Sequence, residues 1–273
     1  SEMCIRDRSW RYFLNVVNGT DLKFGRDIYF TYGPLGYLFY LMKLPGNTIE
    51  YWSGIVIWGI IFLFHLWMLL QLYRLYQKGK IHFWAITASV CCYLAGYYAP
   101  TRDNYLLYLM ILAVVLWAKG AKNIVLIPNL LLLLMFFGKF STFTSGFAFC
   151  ILFCIFDVLF RKNWKSIWLF LPGIILMPVC YLVYCPSIKN LFEYVAGILK
   201  ISSGWMLTMQ FDSVLQPSEV RWLIILIACY VLLIIGNLWS NYKSSAAIIA
   251  SCASMFFLYK YATTRHGLKV GIW

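Results

Sequence analysis

Two acids in the short polar segments of this chain could do acid–base chemistry. Charged residues make up only 12% of the 273 residues, and most of them lie between long apolar runs. An ionised carboxylate can accept the proton of an attacking hydroxyl, as the general base of a transfer reaction does. We therefore take Asp27 and Asp103 as the candidate catalytic residues.

Four basic side chains in similar segments could bind an anionic substrate. Arginine presents a fork of N–H donors to a phosphate, whereas lysine presents a point charge. Either cation can stabilise the charge of a departing phosphate. The candidates are Arg102, Lys139, Arg265 and His266.

The elements that must position these residues are transmembrane helices. Hydrophobic residues make up 62% of the chain, and its mean hydropathy is +0.75, well above the mixture found in soluble domains. A hydrocarbon layer of about 30 Å requires apolar runs of roughly 20 residues. We predict an all-α integral membrane protein, a polytopic helical bundle of about eight spans with an N-terminal external loop and an interfacial helix. The predicted spans are residues 52–76, 82–99, 105–118, 124–138, 146–160, 166–184, 222–239 and 244–259.

The remaining segments set the domain organisation. Residues 9–51 are predicted to form the external loop with its interfacial helix, because Gly33-Pro34 and Gly36 interrupt their aromatic stretch. Helix blocks at 52–184 and 222–259 flank a long external loop, 185–221, and residues 260–273 form an external tail. Within the long loop, residues 188–201 predict an amphipathic helix along the membrane surface, with Leu191, Tyr194, Val195 and Ile198 as its apolar face.

Both ends of the sequence have unusual features. Residues 3–8 resemble the translation of a sequencing adapter, so residues 1–8 are set aside from the fold prediction. The chain stops soon after a polar turn at its other end. We therefore expect the protein to continue beyond both ends of this sequence.

The strong positive charge does not indicate nucleic acid. Lys and Arg number 23 against 10 acids, for a formal charge of +13, but they sit in short loops beside apolar runs, where they act as topology signals and headgroup contacts. Nine cysteines are present without a CxxC pair, which argues against a cysteine metal or redox site.

Lysine and arginine also predict the orientation, because they are retained on the cytoplasmic side. The opposite short loops hold only Arg102 and Lys139. We therefore predict a bacterial inner (plasma) membrane protein with its candidate site on the periplasmic or extracellular side. The predicted cytoplasmic set is Arg74, Lys78, Lys80, Lys119, Lys122, Arg161, Lys162, Lys165 and Lys243.

One stretch carries a family resemblance. Residues 24–38, FGRDIYFTYGPLGYL, preceded by SWRYFLN, resemble the first external loop of bacterial polytopic membrane proteins related to the GT-C glycosyltransferases. Residues 259–266, YKYATTRH, are similar to a late element of the same group, although Gly267 stands where that group has an Asp. Ser203-Gly204-Trp205 with Met209 is a weaker match.

The resemblance implies an outward-facing transferase that moves a sugar from a polyprenyl-phosphate donor to a cell-envelope acceptor. It gives Asp27 or Asp103 the role of base, and gives Arg102, Lys139, Arg265, His266 and Tyr32 the role of binding substrate. In the superfamily an early acid serves as base or coordinates a metal. That acid's counterpart, Asp7, lies in the adapter-like segment, so a divalent metal stays an open prediction. The expected partners are membrane lipid and the lipid-linked sugar.

Other readings stay open. Asp157 and His65, both within spans, would suit a transporter or flippase of an envelope lipid or glycan. A non-catalytic membrane subunit is a further alternative. Arg26 and Asp27 could cap a helix that begins at Ile28, the Arg102-Asp103 pair could form a solvated turn, Lys139 could anchor its span at the headgroups, and Asp157 could pair with Arg161.

Overall fold

The computed structural model describes residues 10–80, 83, 86, 89–90, 102–185 and 187–208, with the side chains of 103, 104, 122, 160 and 202–208 excepted. This part of the chain is helical, with two isolated β-bridges, which confirms the all-α fold class. The helices are α1 (10–16), α2 (Thr48–Gln77), α3 (Arg102–Ala118), α4 (Leu126–Gly138), α5 (Phe140–Arg161), α6 (Leu171–Tyr184) and α7 (Ile188–Thr208). The 3₁₀ helices are Val17–Gly19, Gly36–Tyr40, Lys122–Ile124 and Trp164–Leu169.

Within the described residues, three segments are long and apolar enough to cross a membrane: Thr48–Gln77, Phe140–Leu159 and Trp164–Tyr184. Tyr105–Ala118 and Leu126–Gly138 are shorter apolar helices. The bundle of about eight spans stays a prediction. Its segments 222–239 and 244–259 lie outside the described residues, and so does most of 82–99.

Helix α2 follows from an apolar run that no proline interrupts. One stripe at helical spacing faces the rest of the protein, where Trp58, Ile61 and Met68 are buried. On another side of the same helix, Leu63 and Leu70 are exposed. An apolar exposed face of this kind suits contact with lipid rather than with water.

The corner between α4 and α5 differs from the prediction. Residues 139–145 were expected to form a turn before a span at 146–160, but α5 already begins at Phe140 and only Lys139 adopts an extended conformation. The Phe140 N–H, which has no partner within its own helix, donates to the Thr31 carbonyl at 3.0 Å. Because Thr31 satisfies this N–H, α5 can begin at Phe140, within a run of serines and threonines.

The segment Trp164–Tyr184 is broken into a 3₁₀ helix and α6, and Asn129 of α4 holds the break. Its amide donates to the Trp168 carbonyl at 2.9 Å, and its Oδ1 accepts from the Gly173 N–H at 2.7 Å. Irregular backbone inside a bundle is stable only where such groups are satisfied. Asn129 is itself buried, as a partner of this break must be.

Several ends of the described helices meet at two places. We call the aromatic end the one that holds Gly36–Tyr40, the start of α3 and the α4–α5 corner, which contact each other. The basic end holds the ends of α3 and α5, where Arg161 donates to the Ala118 carbonyl at 3.3 Å.

The amphipathic helix predicted at 188–201 is present within α7, but the face assigned to the membrane was wrong. Leu191, Tyr194 and Ile198 are buried against the protein, whereas Phe192 and Leu199 are exposed. The helix carries two neighbouring apolar stripes, and the helical period alone does not tell which one meets the protein.

Candidate functional site

The aromatic motif is bonded to the corner between α4 and α5. Gly33 N donates to the Gly138 carbonyl at 3.1 Å, and Leu35 N donates to the Phe137 carbonyl at 2.8 Å. Next to these contacts, Tyr32 and Lys139 form an antiparallel β-bridge. We call residues 31–35 together with 137–140 the joint. It fixes the FTYGPLG stretch directly on the helical bundle.

Two predicted substrate-binding residues meet inside this joint. The Lys139 Nζ lies 5.3 Å from the centroid of the Tyr32 ring, a cation–π distance. Both side chains are almost fully buried, at 2% and 1% exposure. Lys139 therefore does not end at the headgroups as an anchor would. In this conformation the two buried side chains pack inside the joint and stabilise it.

Arg102 also reaches the aromatic motif. Its guanidinium donates to the Leu38 carbonyl at 2.6 Å, and Trp58 Nε1 donates to the same carbonyl at 2.8 Å. The Arg102 Cζ lies 5.1 Å from the Trp58 ring centroid, and burial lowers the pKa of Arg102. Arg102 thus attaches the first turn of α3 to Gly36–Tyr40. The solvated turn considered for the Arg102-Asp103 pair does not form.

Asp27 lies in a local turn with its own partners. Its carboxylate accepts from Arg26 at 2.8 Å and from the Lys23 N–H at 2.9 Å. Hydrogen bonds from Arg26 and from the Lys23 backbone lower the pKa of Asp27. A carboxylate with a lowered pKa is a weaker base. The expected helix from Ile28 is absent, because Ile28 forms a bridge with Phe24, so the carboxylate caps a turn rather than a helix.

A group of aromatic rings next to the joint was missed from the sequence. The Trp10 ring stacks on Tyr32 at 5.3 Å and meets Tyr40 edge-on at 4.7 Å. Phe30 packs on Tyr32 at 5.7 Å and on Trp10 at 6.4 Å. We call Trp10, Phe30, Tyr32 and Tyr40 the aromatic platform. Its rings come from three separate segments, so no local sequence spacing predicts that they pack together.

Arg11 is a second cation on this platform, besides Lys139, and the sequence analysis did not select it as a site residue. Its Cζ lies 4.8 Å from the Tyr40 ring centroid and 5.5 Å from that of Trp10. Its Nε is buried and has no hydrogen-bond partner among the described residues. Arg11 is thus a partly buried guanidinium held against two aromatic rings. The sequence feature that could have indicated this contact is the tryptophan next to Arg11, Trp10.

The Asp27 turn is attached to α6 and α7. The Tyr181 hydroxyl donates to the Phe24 carbonyl at 2.6 Å. Gly25, at a φ of +86°, packs so closely that a Cβ there would overlap Asn190 and Tyr181. Asp27 therefore stands beside the α6–α7 junction, whereas Tyr32 and Lys139 belong to the joint.

The remaining candidates are not all placed. Arg265 and His266 lie outside the described residues, and for Asp103 the structure describes the helical backbone alone. Within the described part of the chain, no group of three His, Cys, Asp or Glu side chains could hold a metal ion. The divalent metal stays a prediction.

A second polar cluster lies between the helices. His65 is fully buried, with its Nδ1 at 2.7 Å from the Tyr105 hydroxyl and its Nε2 at 3.3 Å from the Ser89 hydroxyl. Tyr108 donates to the same serine at 2.5 Å. Ionisable groups inside a helical membrane bundle often mark a transport or proton path.

Comparison with known proteins adds no relative. Family models, curated proteins and solved structures give no match to this chain. The resemblance of the sequence to GT-C-related proteins therefore stays a prediction.

Proposed function

We propose that the protein is an outward-facing, GT-C-like membrane transferase of the bacterial inner membrane, which moves a sugar from a polyprenyl-phosphate carrier to a cell-envelope acceptor. The observation that supports this best is the gathering of three cations around one aromatic segment. Arg11 lies on Tyr40, Arg102 bonds to Leu38, and Lys139 lies under Tyr32. A lipid-linked phosphate needs cations beside apolar surface, which this end of the bundle supplies.

In this proposal Arg11 binds the carrier phosphate. Its planar guanidinium fork suits a phosphate oxygen, and the residue is only partly buried. Trp10 and Tyr40 offer apolar ring faces beside it, against which a sugar ring or an isoprene unit can pack. Arg102 and Lys139 hold the segment in place and add positive charge behind it.

Asp103 is the better candidate for the general base. It follows Arg102, whose bond to Leu38 sets the first turn of α3 at the aromatic end. Asp27 carries a lowered pKa and an arginine on its carboxylate, both of which weaken it as a base. We therefore assign proton abstraction from the acceptor hydroxyl to Asp103.

Binding of polyprenyl phosphate to the purified chain in detergent tests the phosphate site. Arg11→Gln should weaken binding about tenfold, as expected for the loss of a charged hydrogen bond of about 1.5 kcal/mol. Arg26→Gln is the matched control, because Arg26 is exposed and paired with Asp27. Equal losses in the two variants would contradict the assignment.

Transfer of labelled sugar from the lipid carrier in membranes that contain the chain tests the reaction. Asp103→Asn should abolish turnover, whereas Asp27→Asn should retain most of it. Full turnover of Asp103→Asn would contradict the assignment of Asp103 as the base. Absence of turnover by the unchanged chain would contradict the proposed transferase activity.

The His65 cluster favours one alternative, a transporter of an envelope lipid or glycan. Its buried hydrogen bonds link α2 with Tyr105 of α3 and with Ser89. A transporter predicts that His65→Gln stops lipid translocation in vesicles. The transferase predicts that the same variant keeps its turnover.

A further inference from the structure

A cavity opens at the basic end, away from the proposed transferase site. It is lined by the ends of α3 and α5 and by the segment that follows α5. Its volume is about 280 Å³. The lining residues are Trp117, Ala118, Gly120, Arg161, Asn163 and Lys165. We call this space the basic cavity.

Positive charge dominates the segments around it. Residues 74–80, 117–126 and 157–166 contain a single acid, Asp157. Lys80 reaches the wall, since its Nζ lies 4.0 Å from the position that a Cβ on Gly120 would take. The basic residues of these segments are Arg74, Lys78, Lys80, Lys119, Lys122, Arg161, Lys162 and Lys165.

Two groups near the cavity would repel an anion, the Asp157 carboxylate and the carbonyl end of α3, and Arg161 is hydrogen-bonded to both. Asp157 is fully buried and accepts from Arg161 at 3.1 Å and from Asn163 at 2.7 Å. The second nitrogen of the same guanidinium donates to the Ala118 carbonyl, at the end of α3. These bonds fix Arg161 in the lining of the basic cavity. Because Arg161 neutralises Asp157, the lysines give the cavity its positive electrostatic potential.

Exposed tryptophans place the cavity at the level of lipid headgroups. Trp164 and Trp168, on either side of Lys165, are 66% and 57% exposed. Tryptophan is enriched where a bilayer meets water. The adjoining Trp164–Tyr184 segment is apolar enough to cross a membrane. A phosphate that enters this cavity is therefore most readily one that belongs to a lipid.

We propose that the basic cavity binds the phosphate headgroup of an anionic phospholipid. Its cationic contacts are Lys165 of the lining and Lys80, which lies next to Gly120 at the edge of the cavity, and Trp117 lies beside the glycerol region. This site differs from a general positive surface because its contacts converge on one cavity. It is independent of the transferase proposal, which concerns the aromatic end.

Native mass spectrometry of the full chain with phosphatidylglycerol, in detergent, measures this binding. The variant pair Lys80→Gln with Lys165→Gln should lose about tenfold in affinity, because each lysine near a lipid phosphate contributes to binding. Lys78→Gln with Lys162→Gln removes the same charge from two lysines that are not part of the proposed site, and it should stay within about twofold. A Lys165→Arg variant should retain binding, which separates loss of charge from loss of folding.

The remaining outcomes are decisive too. Equal weakening in both variant pairs would mean a diffuse surface attraction and would overturn the proposal. Displacement of the lipid by inorganic phosphate at matched concentration would reassign the cavity to a soluble phosphate and overturn the lipid. Equal retention of phosphatidylcholine and phosphatidylglycerol would also overturn it.

Discussion

The ammonium of Lys139 lies 5.3 Å from the ring centroid of Tyr32, and the two residues are also paired through a backbone bridge. This relationship joins the aromatic motif of the N-terminal segment to the corner between α4 and α5. A cation–π contact is stronger where water is excluded, as it is here. The motif is therefore part of the folded bundle rather than a separate loop.

Truncating the ring should destabilise the protein. Tyr32→Ala should lower the free energy of unfolding by about 3 to 5 kcal/mol, the usual cost of removing a buried aromatic side chain. Tyr12→Ala is the control, because Tyr12 is 52% exposed, and it should change stability by less than about 0.5 kcal/mol. Denaturant unfolding in detergent measures both. Equal midpoints would show that the joint contributes little.

The close approach at Gly25 can be separated from backbone strain. Gly25 and Gly46 have φ angles of +86° and +89°, but only Gly25 has neighbours that a Cβ would overlap. Gly46→Ala should therefore cost about 1 to 2 kcal/mol from strain alone. Gly25→Ala should cost about 1 to 3 kcal/mol more, from overpacking against α6 and α7. Thermal unfolding checks the order, and a Gly46 variant that is the less stable of the two would refute it.

A pair of buried tyrosines tests the attachment of the Asp27 turn. Tyr181→Phe should cost about 1 to 3 kcal/mol, because the Phe24 carbonyl loses its donor. Tyr194→Phe should be near neutral, because its buried hydroxyl has no hydrogen-bond partner among the described residues. Both variants remove one oxygen from a fully buried ring. A larger loss for Tyr194→Phe would show that its hydroxyl has an essential partner.

The turn around Asp27 should respond to acid. The lowered pKa of Asp27 means that its ionised form stabilises the turn. This contribution is fully present above the unfolded value of about 3.9 and is lost as the pH falls through the lower folded pKa. Carboxyl NMR titration in micelles should show Asp27 titrating below the usual range, and Arg26→Gln should raise that pKa. No change in Arg26→Gln would remove Arg26 as the cause.

The sequence predicts the long apolar elements of the fold well. The predicted span at 52–76 lies within α2, because its apolar residues continue without a proline. The start of α5 was missed, because the polar run after Phe140 reads as a turn. Its first N–H is satisfied by Thr31, a partner distant in sequence. Such tertiary hydrogen bonds have no local signature.

The candidate site was only partly predictable for the same reason. Charge and motif led to Tyr32, Lys139 and Arg102, and the structure brings all three to one aromatic segment. The burial of Lys139 and the role of Arg11 depend on how separate segments pack. Asp27 was predicted as a candidate general base, and the structure shows its carboxylate hydrogen-bonded to the neighbouring Arg26.

The measurement that bears most directly on this account is cysteine accessibility in intact bacterial cells, in a chain whose nine native cysteines have been replaced. Asp21 and Lys78 are both exposed, before and after α2. A membrane-impermeant maleimide should label Asp21→Cys in intact cells, and should label Lys78→Cys only after the membrane is opened. Labelling of both from outside, or of Lys78→Cys alone, would contradict an outward-facing site above a membrane-crossing α2.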